Sequence, residues 1–133
     1  YQLGGLGQLE NDLFDIYKDR KEGIQTLATR ATHIGELKTH YIATHNKVIS
    51  LIQQTSYPAS GRKKFARIVT LLTSRGLVCL DQFQCAQQSS GGIFNPAAYN
   101  REQLVCDMGK PTNILRSVHH FAKLNNSQGH FSW

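Results

Sequence analysis

Asn113, Arg116, Ser117 and His120 are the side chains of this chain best placed to do chemistry, and that chemistry is recognition. They recur at steps of three and four, so in a helix they share one face. All four can hydrogen-bond the edges of bases, with Arg to guanine and Asn to adenine the favoured pairs. Cations suited to phosphates accompany them: Arg101, Lys110 and Lys123 close by, and Arg62, Lys63, Lys64 and Arg67 further back. The second set crowds the start of an expected helix, where bases oppose the dipole. Charges kept at that cost suit a polyanion partner.

Other chemistries find less support. His33 and His40 are two helical turns apart, too distant to share an ion, and His45 lies off their face; His119, His120 and His130 sit near the end. No Cys-x-x-Cys or His-x-x-x-His pair exists, so no metal site is expected. Cys79, Cys85 and Cys106 form no disulfide framework; reduced thiols are the simpler reading, with a Cys79–Cys85 bridge left open. No signature pairs a Cys with a His for nucleophilic attack, and Gly4-Gly5-Leu6-Gly7 lacks the Lys-Ser/Thr of a phosphate loop. The expectation is a protein that is not an enzyme, with no catalytic residues and no cofactor.

The 133 residues suit one domain able to bury its own core. No apolar run approaches the ~20 residues of a membrane span, and no signal peptide is visible, so no membrane partner and a cytoplasmic (nucleoid-associated) or nuclear place are expected. Beginning at Tyr1, the sequence reads as a processed product or a piece of a longer chain. Its net charge of +6 is uneven. In residues 1–60, Glu10, Asp12, Asp15, Asp19, Glu22 and Glu36 are cancelled by Lys18, Arg20, Lys21, Arg30, Lys38 and Lys47. Beyond residue 60 only Asp81, Glu102 and Asp107 oppose the Lys and Arg residues, so the excess lies with the recognition residues.

The elements that would position these residues are mainly helical. Apolar steps from Leu9 through Tyr41 to Ile52 predict a helical arm over about 8–55, either one long helix or a hairpin broken near Gly35. It is read as a dimerisation arm or as a hairpin packed on the rest. Ser56 to Gly61 is turn chemistry, and a basic helix is predicted over 61–75, with Gly76 as its stop. Residues 77–94 alternate partly and suggest a small β-hairpin or wing. Asn100 and Gln103 have capping-box spacing, and Leu104, Val105 and Met108 would line a first short helix ended by Gly109. A second, from Thr112 to about Lys123, would turn Leu115 and Val118 inward. Residues 124–133 read as a tail whose Phe131 and Trp133 dock back.

The stretch Gln-Leu-Val-Cys-Asp-Met-Gly-Lys-Pro-Thr-Asn-Ile-Leu-Arg-Ser-Val, 103–118, resembles the helix-turn-helix of phage repressors and of plasmid partition proteins of the ParB/KorB type. Lys110 stands where that pattern usually has an apolar residue, and Val105 where it usually has Ala. The resemblance covers about twenty residues. It implies a homodimer binding duplex DNA in a sequence-specific way, in transcriptional control or plasmid and phage maintenance, with 61–123 as the DNA-binding part. A non-enzymatic nucleoprotein or assembly fragment, viral ones included, is the alternative; it would bind RNA or single strands and expose Phe65, Phe83 or Phe94 for stacking. A protein-interaction adaptor is the third reading.

Overall fold

The structure, a computed structural model, describes residues 1–127. The described residues form helices with no strand. In chain order these are α1 (Gln2–Phe14), α2 (Ile16–Lys21), α3 (Leu27–Arg30), α4 (Ile34–Gln53), α5 (Ala59–Ser89), α6 (Arg101–Leu104) and α7 (Pro111–Ser127), with a 3-10 turn at Pro96–Ala98. The mainly α expectation holds at this level.

Spacing explains how α1 and α4 are placed. Leu6, Leu9 and Leu13 form one stripe on α1, and Ile34, Leu37, Tyr41, Val48 and Ile52 form one on α4; all are buried together. The segment expected as one long helix or a hairpin over about 8–55 is four helices: it breaks just before Gly35, as expected, and also at Asp15 and over 22–26, where Gly23 takes a φ of 71° that ends α2. Most of its apolar stripe is spent inside the chain's own core, with Ile24, Leu27 and Leu51 left exposed, so it packs on the rest of the chain. His33 caps α4 without a side-chain bond, and α5 supplies the missing acceptor: Ile34 N–H donates to Gln87 Oε1 at 2.7 Å. Lys38 Nζ meets Asp81 Oδ1 at 3.1 Å, and His45 Nε2 lies 3.2 Å from Thr70 Oγ1. Partner numbers fall on α5 as they rise on α4, which makes the two an antiparallel pair.

Helix α5 overturns two expectations. The predicted hairpin over 77–94 is helix through Ser89, and Gly76 lies inside that helix rather than at its end. Val69, Thr73, Leu77, Leu80 and Phe83 are buried at helical steps, so the 3.6-residue period continues through the short run read as alternating. Gly76 is explained by a distant contact. Any Cβ there would run into the Tyr41 hydroxyl and Cζ, and that hydroxyl donates to Thr73 C=O at 3.1 Å. The turn after α5 does need glycine, with φ of 80° at Gly91 and 93° at Gly92. Phe94 then turns inward, its N–H donating to Thr32 C=O at 2.8 Å and its ring between Phe83 (5.5 Å) and Tyr99 (5.2 Å).

The segment expected as a pair of helices also differs. The Asn100–Gln103 capping box forms, but α6 ends at Leu104, one turn long, and Met108 lies outside any helix. Gln82 of α5 draws the chain away: its amide donates to the carbonyls of Glu102, Gln103 and Val105, each at 3.0 Å. Those acceptors are the ones a longer α6 would use. Residues 124–127, expected as tail, continue α7 with Leu124 buried. His130, Phe131 and Trp133 lie outside the described residues.

Candidate nucleic-acid interface

Pro111 opens α7 at the first helical position, where its missing N–H costs nothing. The helix is rotated about its axis relative to expectation. Asn113 and Ser117, read as base contacts, are each 6% exposed, while Leu115 and Val118, read as the inner face, are 69% and 55% exposed. Asn113 Nδ2 donates to Asp107 C=O at 2.8 Å and Ser117 Oγ to Ile114 C=O at 2.7 Å, so both side chains are satisfied inside the protein. The buried stripe is Asn113, Ser117 and Leu124, with His120 between them half-buried. Two stripes compete on this helix, and the one carrying His120 faces inward because only there does its ring meet a carboxylate.

That carboxylate is Asp81 of α5. His120 Nε2 lies 2.5 Å from Asp81 Oδ2, and Lys38 of α4 holds Oδ1, so one acid ties three helices together. Burial pushes the Asp81 carboxyl up, but the hydrogen bonds from His120 and Lys38 outweigh it and hold it below the usual carboxylate range. His120 is therefore a structural partner of Asp81 rather than a free base reader. Of the four expected base contacts, Arg116 alone is exposed.

The three helices leave a cleft of about 590 Å³ along α7. Arg116, His119, His120 and Lys123 line it from α7, Lys38 from α4, and Asp81 and Cys85 from α5, with Leu115 at its margin. Arg116 and Lys123 stand about 10 Å apart along the helix, with His119 between them. Sequence reading missed Lys38, His119 and Asp81 here. The available signal was Asp81 itself, the only acid between Glu36 and Glu102. Its partner Lys38 is 43 residues away and cannot be found from local spacing.

The other expected phosphate ligands are scattered. Arg62, Lys63, Lys64 and Arg67 lie at the start of α5, and Arg62 Nη1 donates to Gln53 C=O at 2.9 Å and Thr55 C=O at 3.4 Å, closing the α4–α5 turn. Arg62 is thus committed to the fold. Lys110 is exposed just before α7, and Arg101 lines a separate cleft with Phe14 and Arg75. Phe83 and Phe94 are buried, so of the expected stacking aromatics only Phe65 is exposed.

The histidines and cysteines divide by burial. His45 is fully buried, and burial pushes its pKa down to about 4, a neutral core imidazole. His33 shares a hydrogen bond with Thr32 Oγ1, and His40 is exposed. Among the described residues, no group of three or more His, Cys, Asp or Glu side chains could hold a metal ion. Cys79 and Cys85 sit on one helix six residues apart, about 9 Å along its axis, beyond the reach of a disulfide. Burial pushes the Cys79 thiol up; its hydrogen bond to Cys106 adds to this. No family model, curated protein or solved structure matches this chain.

Proposed function

We propose that this protein is a non-enzymatic nucleic-acid-binding domain that grips the phosphate backbone along the α4–α5–α7 cleft, without reading base sequence. The observation that carries this reading is the convergence of Arg116, His119 and Lys123 of α7 on one cleft whose single acid, Asp81, is already paired by Lys38 and His120. Backbone contacts of this kind supply affinity and salt dependence, whereas sequence preference needs groups that reach base edges. With Asn113 and Ser117 turned inward and His120 engaged, Arg116 is what remains of the expected reading face. The cleft is complete within one chain, so this reading does not depend on the homodimer implied by the helix-turn-helix resemblance.

Fluorescence anisotropy with several random duplex DNAs and single-stranded RNAs tests it. Affinity should vary little among duplex sequences, and Arg116→Ala should weaken binding to each of them alike. A duplex selected from a random pool and bound orders of magnitude more tightly than the rest would contradict phosphate-directed binding.

A further inference from the structure

The first half of α5 is covered on one side only. From Ala59 to Leu72 it buries Ala66, Val69 and Thr70, which form one stripe with Thr73; from there onward the helix is buried on several sides. On the side away from that stripe stand Phe65 (44% exposed), Ile68 (55%), Leu71 (49%) and Leu72 (41%). Phe65, Ile68 and Leu72 recur at i, i+3 and i+7, so they make one continuous apolar ridge. Tyr57, in the adjoining turn, and Leu51 of α4 are exposed beside this end of the hairpin.

Charge sets the ridge apart from an ordinary exposed face. From Leu37 to Leu80 the chain holds no Asp or Glu, while Lys47, Lys63, Lys64 and Arg67 lie at this end of the α4–α5 hairpin, beside Arg62, whose guanidinium is spent on the turn carbonyls. By helical angle Lys64 falls between Ile68 and Leu71, within the stripe, and Arg67 at its margin beside Leu71. We propose that this end of the hairpin docks on the surface of an anionic lipid bilayer, with the ridge entering the headgroup boundary and the cations meeting lipid phosphates and carboxylates. A second copy presenting the same face would bring like charges together, which disfavours it. A single acidic helix would meet only the stripe on α5, whereas a planar anionic surface can face cations of both helices at once. Tyr57 is of the type that sits well at such a boundary, apolar in its ring and polar at its tip. Among the described residues no helix is long and apolar enough to cross a membrane. The expectation of no membrane partner rests on that lack of a span, which surface docking does not need.

Co-sedimentation with vesicles of phosphatidylcholine, and of phosphatidylcholine mixed with phosphatidylserine, tests the proposal. The full chain should bind the mixed vesicles and not the neutral ones. Phe65→Asn with Ile68→Asn should lower the partition coefficient at least about tenfold, the loss expected from withdrawing two half-exposed apolar side chains. Both sites are exposed, and an unchanged thermal unfolding curve would verify the fold. The Arg116→Ala, Lys123→Ala pair should weaken nucleic-acid binding while leaving vesicle binding intact, which separates this proposal from the cleft. Failure to bind mixed vesicles overturns it. So does vesicle binding that the Phe65 and Ile68 changes leave untouched, since charge alone would then carry it. Tight binding of an acidic amphipathic peptide without vesicle binding would also overturn it and assign the ridge to a protein partner.

Discussion

Two titratable groups, one buried and one partly buried, should cancel each other's effect on stability between pH 4.5 and 6.5, and removing either should expose the other. Glu10 of α1 is partly buried beside Arg75, whose Nη1 is 4.0 Å from its Oε1. Burial raises its pKa from 4.5 to about 7, and the Arg75 charge opposes this only in part. His45 goes the other way, from 6.5 to about 4, because burial disfavours its charged form. Between pH 4.5 and 6.5 the unfolded chain has lost the Glu10 proton that the folded chain keeps, so stability falls as pH rises. Over the same window the unfolded chain holds a His45 proton that the folded chain lacks, so stability rises with pH. Each slope approaches about 1.4 kcal/mol per pH unit in the middle of the window and is smaller at its ends, and their signs are opposite. Glu10→Gln keeps the neutral shape of the folded state and leaves His45 unopposed: relative to the parent, stability should drop by about 2 kcal/mol as pH falls from 6.5 to 4.5. His45→Gln should produce the reverse, a relative gain of about 2 kcal/mol over the same fall. Urea unfolding followed by circular dichroism at half-unit pH steps reads both, and the difference between variant and parent removes every titration they share. A difference that stays constant across the window for either variant would refute the assigned shifts.

Two further changes test how the cleft is held. Gly76→Ala should destabilise by about 1–3 kcal/mol in the same unfolding assay, because its methyl group must displace the Tyr41 ring. Helix propensity alone predicts a gain of about 1 kcal/mol, so a more stable variant would refute the close approach. Gln82→Ala should cost about 1–2 kcal/mol and speed hydrogen exchange of the α6 amides, since three carbonyls lose their donor. Unchanged exchange over 101–105 would show that α6 is held by other contacts.

Much of this architecture is legible in local spacing. The stripes of α1 and α4, the break before Gly35 and the Asn100–Gln103 cap each depend on residues within two turns of one another. What local spacing cannot reach is a contact made across the chain. Gly76 looks like a helix stop until Tyr41, 35 positions earlier, is seen lying against it. The rotation of α7 has the same origin. Leu115 and Val118 form the more apolar stripe, yet the helix buries Asn113 and Ser117, with Asp81 39 residues before His120 fixing the choice. An apolar count favours one face, and a single carboxylate selects the other. Lys38 was hidden for the same reason, and the candidate cleft with it.

The salt dependence of binding to one random duplex tests the cleft most directly. The logarithm of the association constant should fall linearly with the logarithm of salt concentration for the parent chain. For the Arg116→Ala, Lys123→Ala pair, that line should be shallower by about 2, as two phosphate contacts are lost. Equal slopes for parent and variant, or no binding to duplex or single strands at low salt, would contradict the assignment of the α4–α5–α7 cleft to nucleic acid.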